Sequence, residues 1–218
     1  MSISLDKISP NIGVYSSEDH RFGTDAVLLA EFASPKKSDI IADLGTGCGI
    51  IPMLWCRDNQ FVSAVGLEIS QAAADLASRS AAEFSNGKVQ IVCGDMRRIE
   101  EYLPREKFSL VTCNPPYFKK GSGLERAGEK GVARHDGECS LEDVAKAADF
   151  LLKYGGRICI CQRPERLCDV FWALRKYGLE PKILQCVAKN TEADPWLCLV
   201  EAKKGGKSGL KVLPTKIV

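Results

Sequence analysis

Short apolar runs alternate with stretches of helical periodicity along most of the chain. Residues 39–44 (DIIADL) form the first clear run, which stops at a glycine cluster, and residues 49–57 continue with a helical pattern. Residues 61–67 read as a second strand, and the alanine-rich stretch 70–84 as a helix that Ser70 is placed to cap. Residues 89–92 and 108–113 are further strands. A helix over 141–152 stops before Gly155-Gly156, a strand follows at 157–161, and a helix over 164–177 ends at Gly178 in the C′ manner. Strands at 183–187 and 196–202 close the series with no helical crossover between them.

Strands that alternate with helices build a doubly wound α/β fold with helices on both faces. The seven strands predict a Rossmann-like, mostly parallel sheet. The final pair, lacking a helix between them, predicts one antiparallel strand at or near its edge. A single domain over 1–218 is expected, with a core at 39–203. Residues 1–38 would be an appendage holding a small hairpin (1–15) and an amphipathic helix (24–32), and residues 204–218 a basic extension.

With 45% apolar and 27% charged residues, the 218-residue chain is too apolar for disorder. No apolar run approaches the roughly 18 residues of a membrane span. The opening MSISLDKISP lacks the basic and apolar regions of a secretory leader, so a cytoplasmic protein is expected. Ten cysteines are scattered without a CxxC, and His20 and His135 are the only histidines, so the paired spacing of a metal site is missing. The thiols read as small, reduced core residues, with no metal. Cys159 and Cys161 share one face of their strand. The net charge is +2, but residues 118–135 and 201–218 together carry +7, leaving −5 elsewhere. That asymmetry suits a polyanionic partner, and equally a solvated loop and tail. A monomer is the default expectation.

The chemistry gathers at strand ends. Asp43-Leu44-Gly45-Thr46-Gly47-Cys48-Gly49 follows the first strand, where open α/β sheets bind ligands. The spacing is G-x-G-x-G, and Ile50 stands where a dinucleotide fingerprint needs a small residue. Asp43 would repel a pyrophosphate but suit an amine. Glu68 ends the second strand, where an acid can accept from ribose hydroxyls, and Asp95 follows the third, where it can accept from an adenine amine. Each acid alone is also what an ordinary strand end carries; three in succession beside a glycine loop are harder to explain that way. DLGTGCGIIP, GLEIS and CGDM resemble the cofactor motifs of class I S-adenosylmethionine-dependent methyltransferases. The resemblance implies that Asp43, Gly45, Thr46 and Gly47 serve the methionine moiety, Glu68 and Ile69 the ribose, and Asp95 and Met96 the adenine.

Asn114-Pro115-Pro116-Tyr117 follows the fourth strand. Two prolines hold a rigid, non-helical backbone there. The lone pair of an adenine amine is conjugated into its ring. Acceptors at the Asn114 side chain and the Pro115 carbonyl would favour a pyramidal nitrogen, while Tyr117 stacks on the base. Catalysis would then be positioning and electrostatics. The tetrapeptide resembles that of amino-methyltransferases acting on adenine N6 or on glutamine amides. HRFGTDAVLL (20–29), ARHD (133–136) and GLKVLP (209–214) further resemble a bacterial family that methylates N6 of adenine-37, beside the anticodon of a valine tRNA. That resemblance implies Thr24 and Asp25, together with Asn114, near the cofactor's methionine end. It also implies an RNA-binding segment carrying Lys119, Lys120, Arg126, Lys130, Arg134 and His135, and lysines of the tail on phosphates. A protein amide methyltransferase and a nucleic-acid-binding module without turnover are the competing readings. The basic segments weigh against the first, and the intact set Asp43, Glu68, Asp95 and Asn114 against the second.

Overall fold

The computed structural model describes residues 2–58, 61–115 and 139–218. The appendage holds the hairpin β1 (Ile3–Ser9) and β2 (Ile12–Ser17), then α1 (Thr24–Ala33). The alternating series follows: β3 (Ile40–Leu44), α2 (Ile50–Asp58), β4 (Ser63–Glu68), α3 (Gln71–Phe84), β5 (Val89–Cys93), a 3₁₀ segment (Met96–Glu101) and β6 (Phe108–Cys113). After the tetrapeptide region come α4 (Leu141–Leu151), β7 (Leu152–Gln162), α5 (Leu167–Lys176), β8 (Leu179–Ala188) and β9 (Leu197–Lys204). Seven of these strands form one sheet in the order β5-β4-β3-β6-β7-β9-β8, with β9 the antiparallel member. It sits between β7 and β8 rather than at the rim.

Two small elements depart from expectation. The helix expected over 164–177 begins as a 3₁₀ turn at Pro164–Arg166, where proline suits the first positions but supplies no N–H. The basic extension supplies two short strands, β10 (Lys211–Val212) and β11 (Lys216–Ile217), which pair in parallel with β8 and cover its outer edge. Lys216 Nζ binds Glu31 of α1 at 2.6 Å, while Lys204 Nζ reaches Asp149 Oδ1 at 3.1 Å, so part of the tail's charge is spent on the fold.

The period of two along β7 explains its place in the core. Cys159 and Cys161 pack into the layer of α1, α2 and α3, while Ile158 and Ile160 face α4 and α5. The ten thiols are unpaired by disulfides; Cys48, Cys113, Cys159, Cys161 and Cys198 are buried. The hairpin is fastened to α3: Tyr15 N–H donates to Ser80 Oγ at 2.8 Å, and Tyr15 OH to Glu83 Oε2 at 2.8 Å. Ser70 caps α3, its Oγ accepting from Ala73 N–H at 3.4 Å, and Ser140 with Asp143 forms a reciprocal capping box on α4. Arg157 of β7 ties the layers, meeting Asp39 at 3.3 Å and Glu201 at 3.6 Å. Among the described residues no helix is long and apolar enough to cross a membrane.

Candidate functional site

The carboxyl ends of β3, β4, β5 and β6 open on one cavity of about 300 Å³, whose walls include Gly45, Glu68, Ile69, Asp95, Met96, Asn114 and Pro115. Behind it lies Asp43, fully buried. Its two carboxylate oxygens accept from Thr112 Oγ1 and Thr46 Oγ1, each at 2.6 Å. Burial lifts this carboxyl from its ordinary 3.8 to about 6; the two hydroxyls offset part of the rise, and the charge of Glu68 adds to it. A cation arriving nearby would relieve that cost.

Gly45 and Thr46 both donate their N–H to Leu67 O, at 2.8 and 3.0 Å, which pins the loop to β4. Glu68 pins its far side, one carboxylate oxygen accepting from Gly47 N–H at 2.8 Å and the other from Ser70 N–H at 2.9 Å. Gly47 has φ +58°, a conformation that disfavours a side chain. At Gly49 a Cβ would lie 3.1 Å from that of Ala77, so the third glycine admits α3 against the loop. Thus Asp43, Thr46 and Gly47 hold the wall rather than form it.

Asp95 caps the 3₁₀ segment and accepts from the Arg97 backbone at 2.9 Å and from its guanidinium at 2.5–3.0 Å. The Arg97 hydrogen bonds hold this carboxyl below the usual carboxylate range. Arg97, Cys113, Cys139 and Val144 also border the cavity. Burial pushes the Cys139 thiol up to about 12 and that of Cys113 well above its ordinary value, so both stay protonated at neutral pH.

Asn114 leaves β6 at the cavity wall. Its Nδ2 donates to Asp25 Oδ2 at 3.1 Å, and its Oδ1 accepts from the Cys161 thiol at 3.0 Å. Asp25 therefore reaches the site through Asn114. Neither it nor the exposed Thr24 is among the described residues lining the cavity. Pro116, Tyr117, Lys119, Lys120, Arg126, Lys130, Arg134 and His135 fall outside the described residues. Sequence reasoning missed Thr112, Arg97, Cys139 and Cys161. Thr112 carried a signal, two residues before Asn114 near the end of β6; Arg97 carried none. A second cavity of about 410 Å³ between α1 and α2, lined by Trp55 and Phe61 among others, has Glu31 as its sole carboxylate among the described residues. Among the described residues, acids converge on the first cavity.

The chain is 32% identical over 190 residues to a tRNA1(Val) (adenine(37)-N6)-methyltransferase of Porphyromonas gingivalis, covering 83% of this chain and 73% of the relative. A Photobacterium profundum protein of the same name is 27% identical over 178 residues, covering 79% and 72%. Among solved structures, a predicted O-methyltransferase from Agrobacterium tumefaciens superposes with a TM-score of 0.71 at 26% identity, covering 88% of this chain and 86% of that one. Residues 7–164 match the model of the methyltransferase small domain, a span reaching from the hairpin through the glycine loop, the three acids and Asn114 to the end of β7. By that match and by its relatives, this chain is an enzyme of the methyltransferase small domain family.

Proposed function

We propose that the protein methylates N6 of an adenine in RNA, with tRNA as the RNA and the adenine beside the anticodon of a valine tRNA as the target. The observation that carries this reading is the Asn114 amide, fixed at the wall of a cavity edged by Glu68 and Asp95. The names of the relatives supply the base and the RNA.

The donor set suits S-adenosylmethionine, which when bound supplies a methyl group on a sulfonium. Asp43 sets a negative charge behind the loop for the ammonium end, with Gly45, Thr46 and Gly47 shaping the approach and Thr24 and Asp25 near the same end. Glu68 keeps free lone pairs for ribose hydroxyls, beside Ile69. Asp95 and the Met96 backbone meet the adenine edge, where Arg97 must share the carboxylate. Asn114 Oδ1 and the Pro115 carbonyl accept from the target amine and turn its lone pair toward the methyl group, a role in which Pro116 would restrain the backbone and Tyr117 would stack on the base. Protonated Cys113 and Cys139 matter here, since a thiolate would compete for the methyl group.

Lys119, Lys120, Arg126, Lys130, Arg134 and His135 would meet the phosphates of an RNA whose target base has left its stack. Such a substrate places the protein in the cytoplasm. The test is methyl transfer from labelled S-adenosylmethionine to unmodified total tRNA and, separately, to total cell protein, followed by nucleoside analysis. Label in N6-methyladenosine that disappears with Asn114→Ala, cofactor binding intact, is the expected result. Label in protein alone would replace this reading with amide methylation.

A further inference from the structure

The side chain that the proposed chemistry depends on is held from two directions, by Cys161 of β7 and by Asp25 of α1. Asn114 is the first residue beyond β6, and the pairing of Cys113 with Ile160 sets it beside Cys161 of β7. Cys161 is fully buried, and its thiol lies 3.0 Å from Asn114 Oδ1. From the opposite side Asp25, in the first turn of α1, accepts from Asn114 Nδ2 at 3.1 Å. Asp25 is itself anchored, its other oxygen accepting from Ala26 N–H at 3.0 Å. Gly23 leaves it room: a Cβ there would stand 2.5 Å from Asp25 Oδ1.

We propose that Cys161 and Asp25 form a clamp that fixes the rotation of the Asn114 amide, which makes both of them positioning residues for methyl transfer. This rests on the functional reading above. An ionised carboxylate only accepts hydrogen bonds, so the NH₂ must face Asp25 and the oxygen must face Cys161, whose S–H donates. Turned by 180°, the amide would set oxygen against carboxylate and leave the thiol facing a donor. Oδ1 has two acceptor directions, and the thiol occupies one of them. A thiol is a weak donor, so it orients Oδ1 without drawing away the electron density that the amine needs. Packing alone would ask only for a small apolar group at position 161.

The test uses the full-length protein with Cys161→Ala, Cys161→Ser, Asp25→Ala and Asn114→Ala. Cys161→Ala is expected to lower kcat about fivefold to tenfold, the scale of one hydrogen bond, while KM for RNA and affinity for S-adenosylmethionine stay within about twofold. Cys161→Ser, which keeps a donor, should recover kcat to within about twofold. Asp25→Ala should cost more than Cys161→Ala, because the amide is then free to turn. The S–H infrared band assigned to Cys161, by difference from Cys161→Ser, should move to higher frequency in Asn114→Ala. The clamp is overturned if Cys161→Ser is as impaired as Cys161→Ala, if Cys161→Ala leaves kcat unchanged, or if the S–H band ignores Asn114. Wild-type protein that labels no RNA adenine would defeat the functional reading instead, and the S–H band would still decide the clamp.

Discussion

Asp43→Asn should stabilise the cofactor-free protein and disable it. The wild-type carboxyl is fully buried and titrates near 6 instead of its ordinary 3.8. Below about pH 3 both folded and unfolded chains carry it protonated, and it has almost no effect on stability. As pH rises from about 3 to 6 the unfolded chain releases its proton first, so stability falls, and the loss is complete above about pH 7. At about 1.4 kcal/mol per tenfold, the loss is about 3 kcal/mol at pH 8 and about half of that at pH 5. Asparagine has the same shape, does not ionise, and can still bond the hydroxyls of Thr46 and Thr112. Urea unfolding of both proteins at pH 5 and pH 8 reads the difference, and in a chain of this size about 3 kcal/mol is also a rise of about 6–12 °C in Tm. Calorimetric titration should show S-adenosylmethionine binding at least tenfold weaker to the variant, since the ammonium end loses its counter-charge. A stability difference equal at the two pH values, or a variant less stable at pH 8, would refute the argument that an ionised, costly carboxylate is retained for its ligand.

Arg157→Met leaves Asp39 and Glu201 facing each other without their cation; it should cost about 3 kcal/mol in urea unfolding. Deleting residues 207–218 uncovers the edge of β8; light scattering should show concentration-dependent association that the full chain lacks, with cofactor affinity unchanged. Ser140→Ala breaks the capping box of α4 and should cost about 1 kcal/mol, read as a small fall in Tm. Lys119→Glu with Lys120→Glu should weaken tRNA binding and reduce its dependence on salt by about two phosphate contacts, leaving cofactor affinity as it was.

The seven core strands were legible because each contains a short apolar run and most stop at a glycine, a proline or an acid, and strands β3 and β6 match expectation to within a residue. Asp43, Glu68 and Asp95 were legible for a related reason: strand ends face one edge of a parallel sheet, so acids at those positions must gather. The short strands of the tail were not. KV and KI are too brief to carry a period, and what fixes them is the open edge of β8, which lies more than twenty residues earlier in the chain. Arg97 was hidden too, because a side chain folding back on its own neighbour leaves no mark in a pattern. Cys161 was visible only as one more buried residue. Its contact with Asn114 follows from the register of two strands joined through α4, which sequence alone does not fix.

The insertion of β9 between β7 and β8 divides the site by folding order. The cavity rests on β3 to β6, which are adjacent in the sheet and complete well before the last two strands are made. Cys161 stands on β7, whose outer edge is covered only when β9 enters antiparallel beside it. β8 touches the sheet through β9 alone, so the two strands leave together as one unit when the structure opens locally. On that arrangement, mild heat or denaturant should loosen the support of Asn114 before it reaches the glycine loop, and a partly opened molecule should go on binding a methyl donor that it can no longer use.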